Sequence, residues 1–318
     1  MGAPAGAGAG WPCAPGWPCW SCCPSGRGAF WSCGACAFAA AGLIAAAQAT
    51  TGAAAFLFTS DEEANDPRGI AAFLERDHGF AEAVIAEPTR CEAVLAHRGI
   101  SSVRLQFRGA AGHASGANAL EASALHQAMR WGASALDFVE AQAHQRFGGL
   151  TGLRFNVGRV EGGIKANVIA PHAEVRFGFR PLPSQDIDVL HSTFGGFVTT
   201  GALDRYEETF RGPPLPAGNV AEAEERRLEA RDLADALGLP VGNAVDFWTE
   251  ASLFSQAGMT AIVYGPGDIA QAQRIGAASG RERQQRTRID HGLVARLTAP
   301  GQRGETQGRE HVAAAGQR

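Results

Sequence analysis

The sequence predicts an α/β domain interrupted by a smaller α+β insert, and three observations carry that expectation. Short apolar strands and amphipathic helices alternate before residue 100 and return after residue 212, as a layered α/β domain requires. Between those points the order of strand, helix, strands and helix suits an α+β sandwich set into the larger domain. With 318 residues, 45% of them hydrophobic, the chain can build a core in each of two domains at ~100 to 200 residues per domain.

Along the chain, residues 39–50 are Ala-rich around Leu43 and Ile44 and predict a buried helix, and residues 53–59 predict a short apolar strand ending in a polar turn. Asp66-Pro67 caps and starts a helix with Ile70, Phe73 and Leu74 on one face. Short strands follow at 83–86 and 92–96. From 101 to 107 the apolar Val103, Leu105 and Phe107 alternate with Arg104 and Gln106, the period of a half-exposed strand. Residues 119–143 predict one long helix carrying Leu120, Ala124, Leu125, Ala128 and Met129, followed by strands at 153–160 and 173–180 and a helix at 187–197. After the Gly-Pro-Pro turn at Gly212, a helix at 221–237 and a strand at 261–264 resume the α/β pattern.

A net charge of -4 and a pI near 6.1 supply no global attraction to nucleic acid or an anionic membrane. Residues 34–58 are nearly uncharged, yet Ala and Gly dominate and Gln48 interrupts, which argues against a membrane span. Lys165 is the only lysine, an arginine bias expected of a GC-rich genome.

The two ends differ from the middle. Residues 1–38 hold Cys13, Cys19, Cys22, Cys23, Cys33 and Cys36 and four tryptophans, with Arg27 their only charge. Pro and Gly interrupt throughout, so no secretory signal is legible. Cys19-x-x-Cys22 and Cys33-x-x-Cys36 have spacing compatible with a thiolate zinc site, but the lack of surrounding polar residues favours an unstructured leader. Residues 274–318, with nine scattered arginines and almost no apolar periodicity, read as a disordered tail.

Chemistry concentrates at a few places. Asp61, Glu62 and Glu63 follow the first strand, where adjacent carboxylates repel unless a cation is bound; taken by itself the cluster reads more readily as a solvated acidic turn. Glu87 ends the next strand, at the sheet edge where open α/β folds place their sites. His113 lies in a Gly-rich loop at the start of the insert. Spacing alone leaves metal site and acidic surface both open.

The motifs Phe58-Thr-Ser-Asp-Glu-Glu63, Ala86-Glu-Pro-Thr89, His97-Arg-Gly99, Gly112-His-Ala-Ser115, Gly162-Gly-Ile-Lys-Ala-Asn167, Phe179-Arg-Pro-Leu-Pro183, Thr249-Glu-Ala251 and Gly265-Pro-Gly-Asp268 occur in this order. Over residues 39–272 the chain thereby resembles the acetylornithine deacetylases and their succinyl-diaminopimelate desuccinylase relatives, with wording closest to the acetylornithine branch and its N-acetylcitrulline subgroup. The resemblance implies an α/β zinc-hydrolase catalytic domain, at 39–99 and 212–273, with an inserted α+β dimerisation (lid) domain at 100–211. It also implies a cytoplasmic homodimer that cleaves acetate from N-acetylornithine or N-acetylcitrulline in arginine biosynthesis, using two Zn2+ ions, with Co2+ as a substitute.

Carried over residue by residue, Glu62 resembles the general base beside the metal-bound water, and Glu63 and Glu87 resemble ligands of the two zincs. His113 resembles the histidine presented to the neighbouring subunit's site as an oxyanion donor. Asn167 and Arg180 resemble the residues that hold the substrate's carbonyl and α-carboxylate, and Glu250 lies in a motif beside the pocket.

The resemblance breaks at both edges. The earlier His-x-Asp motif and the bridging Gly-x-Cys-Asp-x-Lys-Gly motif are absent, no histidine precedes His78, and Gln273 stands where the last metal-binding histidine belongs. Composition switches at the same points, which suggests shifted reading frames. Left with Glu63 and Glu87 for two metals, the chain is expected to bind zinc weakly and turn over little, serving then only as a dimerising or binding homologue.

Overall fold

The computed structural model describes residues 34–49, 54–58, 68–76, 79–269 and 294–298. The two cysteine pairs and the Asp66-Pro67 cap lie outside them, apart from the backbone of Cys36.

The chain opens with α1 (Gly34–Ala49), β1 (Ala54–Phe58), α2 (Arg68–Leu74) and β2 (Glu82–Ile85). The insert then runs β3 (Ile100–Arg108), β4 (Gly112–His113), α3 (Ala119–Ala122), α4 (Ala124–Ala141), β5 (Arg146–Phe147), β6 (Leu150–Thr151), β7 (Arg154–Gly162), β8 (Val168–Ile169), β9 (His172–Arg180), α5 (Ile187–Gly196) and β10 (Leu203–Gly212). It returns through α6 (Ala223–Ala236), α7 (Ala251–Gln256), β11 (Thr260–Val263) and β12 (Val294–Thr298).

The α/β part is built on a sheet of order β1-β12-β2-β11, in which β2 and β11 run parallel. Both faces of that pair are covered. Ala83, Ile85, Ala261 and Val263 pack with Ile70 and Phe254 on one side, while Ile262 packs with Ala230, Leu233 and Ala234 of α6 on the other. A strand buried on both faces needs an apolar run rather than strict alternation, as Glu-Ala-Val-Ile and Thr-Ala-Ile-Val supply.

The insert is an antiparallel sheet of order β10-β3-β9-β7 with helices on one face only. Alternation sorts its side chains. Val103, Leu105 and Phe107 of β3 and Val175, Phe177 and Phe179 of β9 face Trp131 of α4 and Leu190 and Phe194 of α5. Buried Trp131 donates its indole N–H to the Phe194 carbonyl at 2.8 Å and lies 4.7 Å, centroid to centroid, from Phe177.

Four expectations need correction. The helix at 119–143 is two helices, because Ser123 turns extended and caps α4 by accepting from the His126 amide. Leu120 and Met129, expected on its core face, are 61% and 64% exposed. Residues 92–96 form isolated bridges, Ala93 to Val241 and Val94 to Val263, rather than a strand. Finally, the tail expected to be disordered contributes β12, whose backbone pairs antiparallel with both β1 and β2 and so satisfies edges that would otherwise be open.

Two chain crossings join insert to α/β part, at Gly99 and at Gly212. A Cβ on Gly99 would lie 3.0 Å from the Gly212 carbonyl oxygen, and one on Gly212 would lie 2.5 Å from the Trp248 ring. The crossings are packed too tightly for any side chain, and Trp248 is anchored over them by donating to the Pro213 carbonyl at 3.0 Å.

Candidate functional site

At the carboxyl ends of the parallel strands two motifs meet. The amide of Thr89 donates to the Gly265 carbonyl and the amide of Gly265 to the Thr89 hydroxyl, each at 3.1 Å, while the Arg90 amide reaches the Gly267 carbonyl at 2.8 Å. Half-buried Glu87 is held in this double loop; a Cβ on Gly265 would come within 2.5 Å of the Glu87 carbonyl oxygen, so only glycine permits the approach. Glu250 is 1% exposed at the start of α7, which packs on β11 and β2. Glu62 and Glu63 lie outside the described residues. Among the described residues, no three His, Cys, Asp or Glu side chains gather as a metal site would require.

Preceding the crossing, His97 is fully buried. Its Nδ1–H donates to the Arg98 carbonyl at 2.8 Å, which leaves Nε2 to accept the Thr249 hydroxyl at 3.1 Å. Burial pulls its pKa down to about 4, so the ring is neutral.

Arg98 follows, its side chain 0% exposed. Nε donates to Asp246 at 2.5 Å, Nη1 to the Gly152 carbonyl at 2.6 Å and more weakly to that of Arg180 at 3.4 Å, and Nη2 to that of Thr151 at 2.8 Å. Asp246 also lies 3.5 Å from Arg154, the cross-strand neighbour of Arg180. Three arginines therefore surround one carboxylate. Arg180 itself is half-buried, and its guanidinium makes no hydrogen bond or ion pair with a described residue. Burial lowers its pKa, an effect that the Asp246 charge opposes and that of Arg98 reinforces. A groove of about 610 Å³ runs from Arg180 and Arg154 along the open face of the insert's sheet, past Asn156, Ser102 and Gly178.

His113 and Asn167 sit elsewhere. The β4–β8 ladder brings them together, with the Ala114 amide donating to the Asn167 carbonyl at 3.1 Å. Both are exposed. The Ser115 amide donates to His113 Nδ1 at 3.3 Å, so the neutral ring keeps its proton on Nε2, facing away. The β8 side of the pair's ladder comes just before β9 in the chain, whereas Arg180 closes β9, a strand of nine residues roughly 26 Å long at 3.3 Å per residue. Asn167 and Arg180, expected to hold the substrate's carbonyl and α-carboxylate, thus stand on different segments of the insert.

No motif in the sequence singles out Asp246 or Arg154, and His97 and Arg98 stand there only within His97-Arg-Gly99. The available signal was an arginine beside a glycine at the boundary of the insert.

Residues 95–203 match the peptidase dimerisation domain. The chain is 71% identical over 234 residues to the N-acetyl-L-citrulline deacetylase of Xanthomonas campestris pv. campestris, a match covering 74% of this chain and 64% of that protein. It is 30% identical over 199 residues to the acetylornithine deacetylase of Pectobacterium atrosepticum, covering 60% and 50%, and 27% identical over 234 residues to that of Pasteurella multocida, covering 69% and 57%. The chain thus spans about half to two thirds of the length of these relatives. A catalytic-type α/β part carrying an inserted dimerisation domain is the architecture found, and over most of its length the chain is similar to the N-acetylcitrulline and acetylornithine deacetylases.

Proposed function

We propose that the protein serves the hydrolysis of an N-acetyl amino acid to acetate and the free amino acid in arginine biosynthesis, with N-acetylcitrulline preferred to N-acetylornithine. The observation that carries this is half-buried Arg180 at the junction of the two parts: its guanidinium makes no hydrogen bond or ion pair with a described residue, and nearby Asp246 is already bonded to Arg98, so a substrate's α-carboxylate would match it. Identity to the citrulline-named relative far exceeds that to the ornithine-named ones. Charge supports the same preference, because Arg98, Arg154 and Arg180 outnumber Asp246 and disfavour a cationic ornithine side chain over a neutral ureido group.

Metal dependence belongs to this family's reaction, with Zn2+ and its substitute Co2+ as the ions in this reading. The described residues do not fit two metal ions by themselves, since no three His, Cys, Asp or Glu side chains gather among them. The roles assigned within the chain are therefore these: Arg180 binds the carboxylate, Glu87 and Glu63 offer ligand oxygens, Glu62 moves the proton, and Glu250 borders the pocket. His113, with Nε2–H directed outward, and Asn167 act on a second copy's site. Their exposure on the insert and the match of that insert to a dimerisation domain support this role and a homodimer. The exposed Met129 and Leu136 of α4 and Val160 of the edge strand β7 supply an apolar surface for it. Among the described residues no helix is long and apolar enough to cross a membrane, and the small-molecule substrate suits a cytoplasmic enzyme.

Acetate release measured with supplied zinc tests the reading. Faster release from N-acetylcitrulline than from N-acetylornithine is expected, and a preference for ornithine would overturn the specificity. The lack of the His-x-Asp and bridging-aspartate motifs, with Gln273 where the last metal-binding histidine belongs, favours a second reading, a dimer that binds the substrate without cleaving it.

A further inference from the structure

We propose that Arg98 is a positioning residue: with Asp246 it clamps the insert to the α/β part and so fixes where Arg180 meets a carboxylate. This rests on the role given to Arg180 above. The geometry is specific. Arg98 precedes the Gly99 crossing and belongs to the α/β part, yet its Nη1 and Nη2 donate to carbonyls of Thr151, Gly152 and Arg180, all on the insert. Those three residues flank the paired ends of β7 and β9, where Arg154 stands opposite Arg180. Asp246, on the segment that returns from the second crossing, takes the remaining Nε–H. One fully buried guanidinium therefore ties both crossings to the strand ends that present Arg180.

A planar fork is needed for this. Arg projects five N–H donors in fixed directions and reaches acceptors on three sides, whereas a lysine ammonium would concentrate three donors at a point. The side chain is out of water, so its donors have no alternative partners and the arrangement is rigid.

Asp246 provides a test in which position and charge predict opposite signs. Its side chain is 61% exposed, so Asp246→Ala leaves no cavity. Removing a negative charge beside Arg180 should tighten carboxylate binding if charge alone matters. Loosening the clamp should weaken it. Titration calorimetry with N-acetyl-L-citrulline is predicted to show about tenfold weaker binding by Asp246→Ala, with similar weakening by Arg98→Lys, while both variants keep the wild-type circular dichroism. Unchanged or tighter binding by Asp246→Ala would overturn the proposal. Arg180→Ala serves as the control: if the unmodified protein does not bind the probe, or Arg180→Ala binds it equally well, the carboxylate role of Arg180 fails instead. Hydrogen exchange judges the clamp without any ligand. Asp246→Ala should speed exchange of the amides at 151–156 and 178–180 while those at 103–107 stay protected, and an unchanged exchange pattern would refute it.

Discussion

His97 Nε2 accepts the Thr249 hydroxyl at 3.1 Å, in a fully buried contact that joins the segment before the first crossing to the segment before α7. Its other nitrogen is committed as a donor to the Arg98 carbonyl, so a proton taken up at Nε2 would make the threonine hydroxyl turn from donor to acceptor and would place a charge in a fully buried site.

That arrangement sets a pH dependence. The ordinary value of 6.5 falls to about 4 in the folded protein, chiefly through burial, so the unfolded chain binds the proton more readily. Stability from neutral His97 is complete above pH 6.5 and is lost progressively as pH falls towards 4, by about 3 kcal/mol at most from a shift of this size. Urea midpoints at pH 7.5, 5.5 and 4.5 should fall more steeply for the unmodified protein than for His97→Gln. Parallel curves would contradict the assignment.

The crossing at Gly212 makes a second prediction. Gly212→Ala drives a methyl into Trp248, which overpacking places at a cost of about 1–3 kcal/mol. Gly132→Ala, within α4 and with nothing inside 4 Å of the new methyl, should instead stabilise by about 0.5–1 kcal/mol. Denaturation midpoints moving in the same direction for both would show that close packing at the crossing is not what distinguishes them.

Trp131 anchors the insert's core by area and by its bond to Phe194. Trp131→Ala is expected to cost about 3–5 kcal/mol, read from chemical denaturation followed by circular dichroism. A loss below about 1 kcal/mol would mean that the cluster of Phe155, Phe177 and Phe194 repacks without it.

The exposed face of α4 makes a fourth. Met129→Glu with Leu136→Glu adds charge to two side chains that are 64% and 52% exposed, so folding should be spared while a dimer using that surface is lost. Sizing chromatography should report a monomer of unchanged circular dichroism. An unaltered dimer would move the interface elsewhere.

Much of this fold was legible because period and burial agree: β3 and β9 alternate in sequence and in exposure, and the parallel pair β2 and β11 reads as short apolar runs. The strand β10 was not, since Leu-Asp-Arg-Tyr-Glu-Glu-Thr-Phe-Arg-Gly is charged on both faces. Its charges are satisfied only in three dimensions. Glu208 accepts from Arg211 on the same strand, and also from His191 of α5 and from Ser101 of β3, 107 residues away. The same is true of the junction. Arg98 and Asp246 are separated by 148 residues, and no local pattern announces their pairing. His113, Asn167 and Arg180 were identified by motif, but the ladder that joins the first two, on segments other than the strand that ends in Arg180, required the register.

The central claim is that Arg180, held at the junction, reads a carboxylate. Comparing the binding of N-acetyl-L-citrulline with that of N-acetyl-L-citrullinamide, whose carboxylate is replaced by a neutral amide, tests it most directly. The acid should bind at least tenfold more tightly, and Arg180→Ala should abolish the difference. Equal binding of acid and amide by the unmodified protein would contradict it.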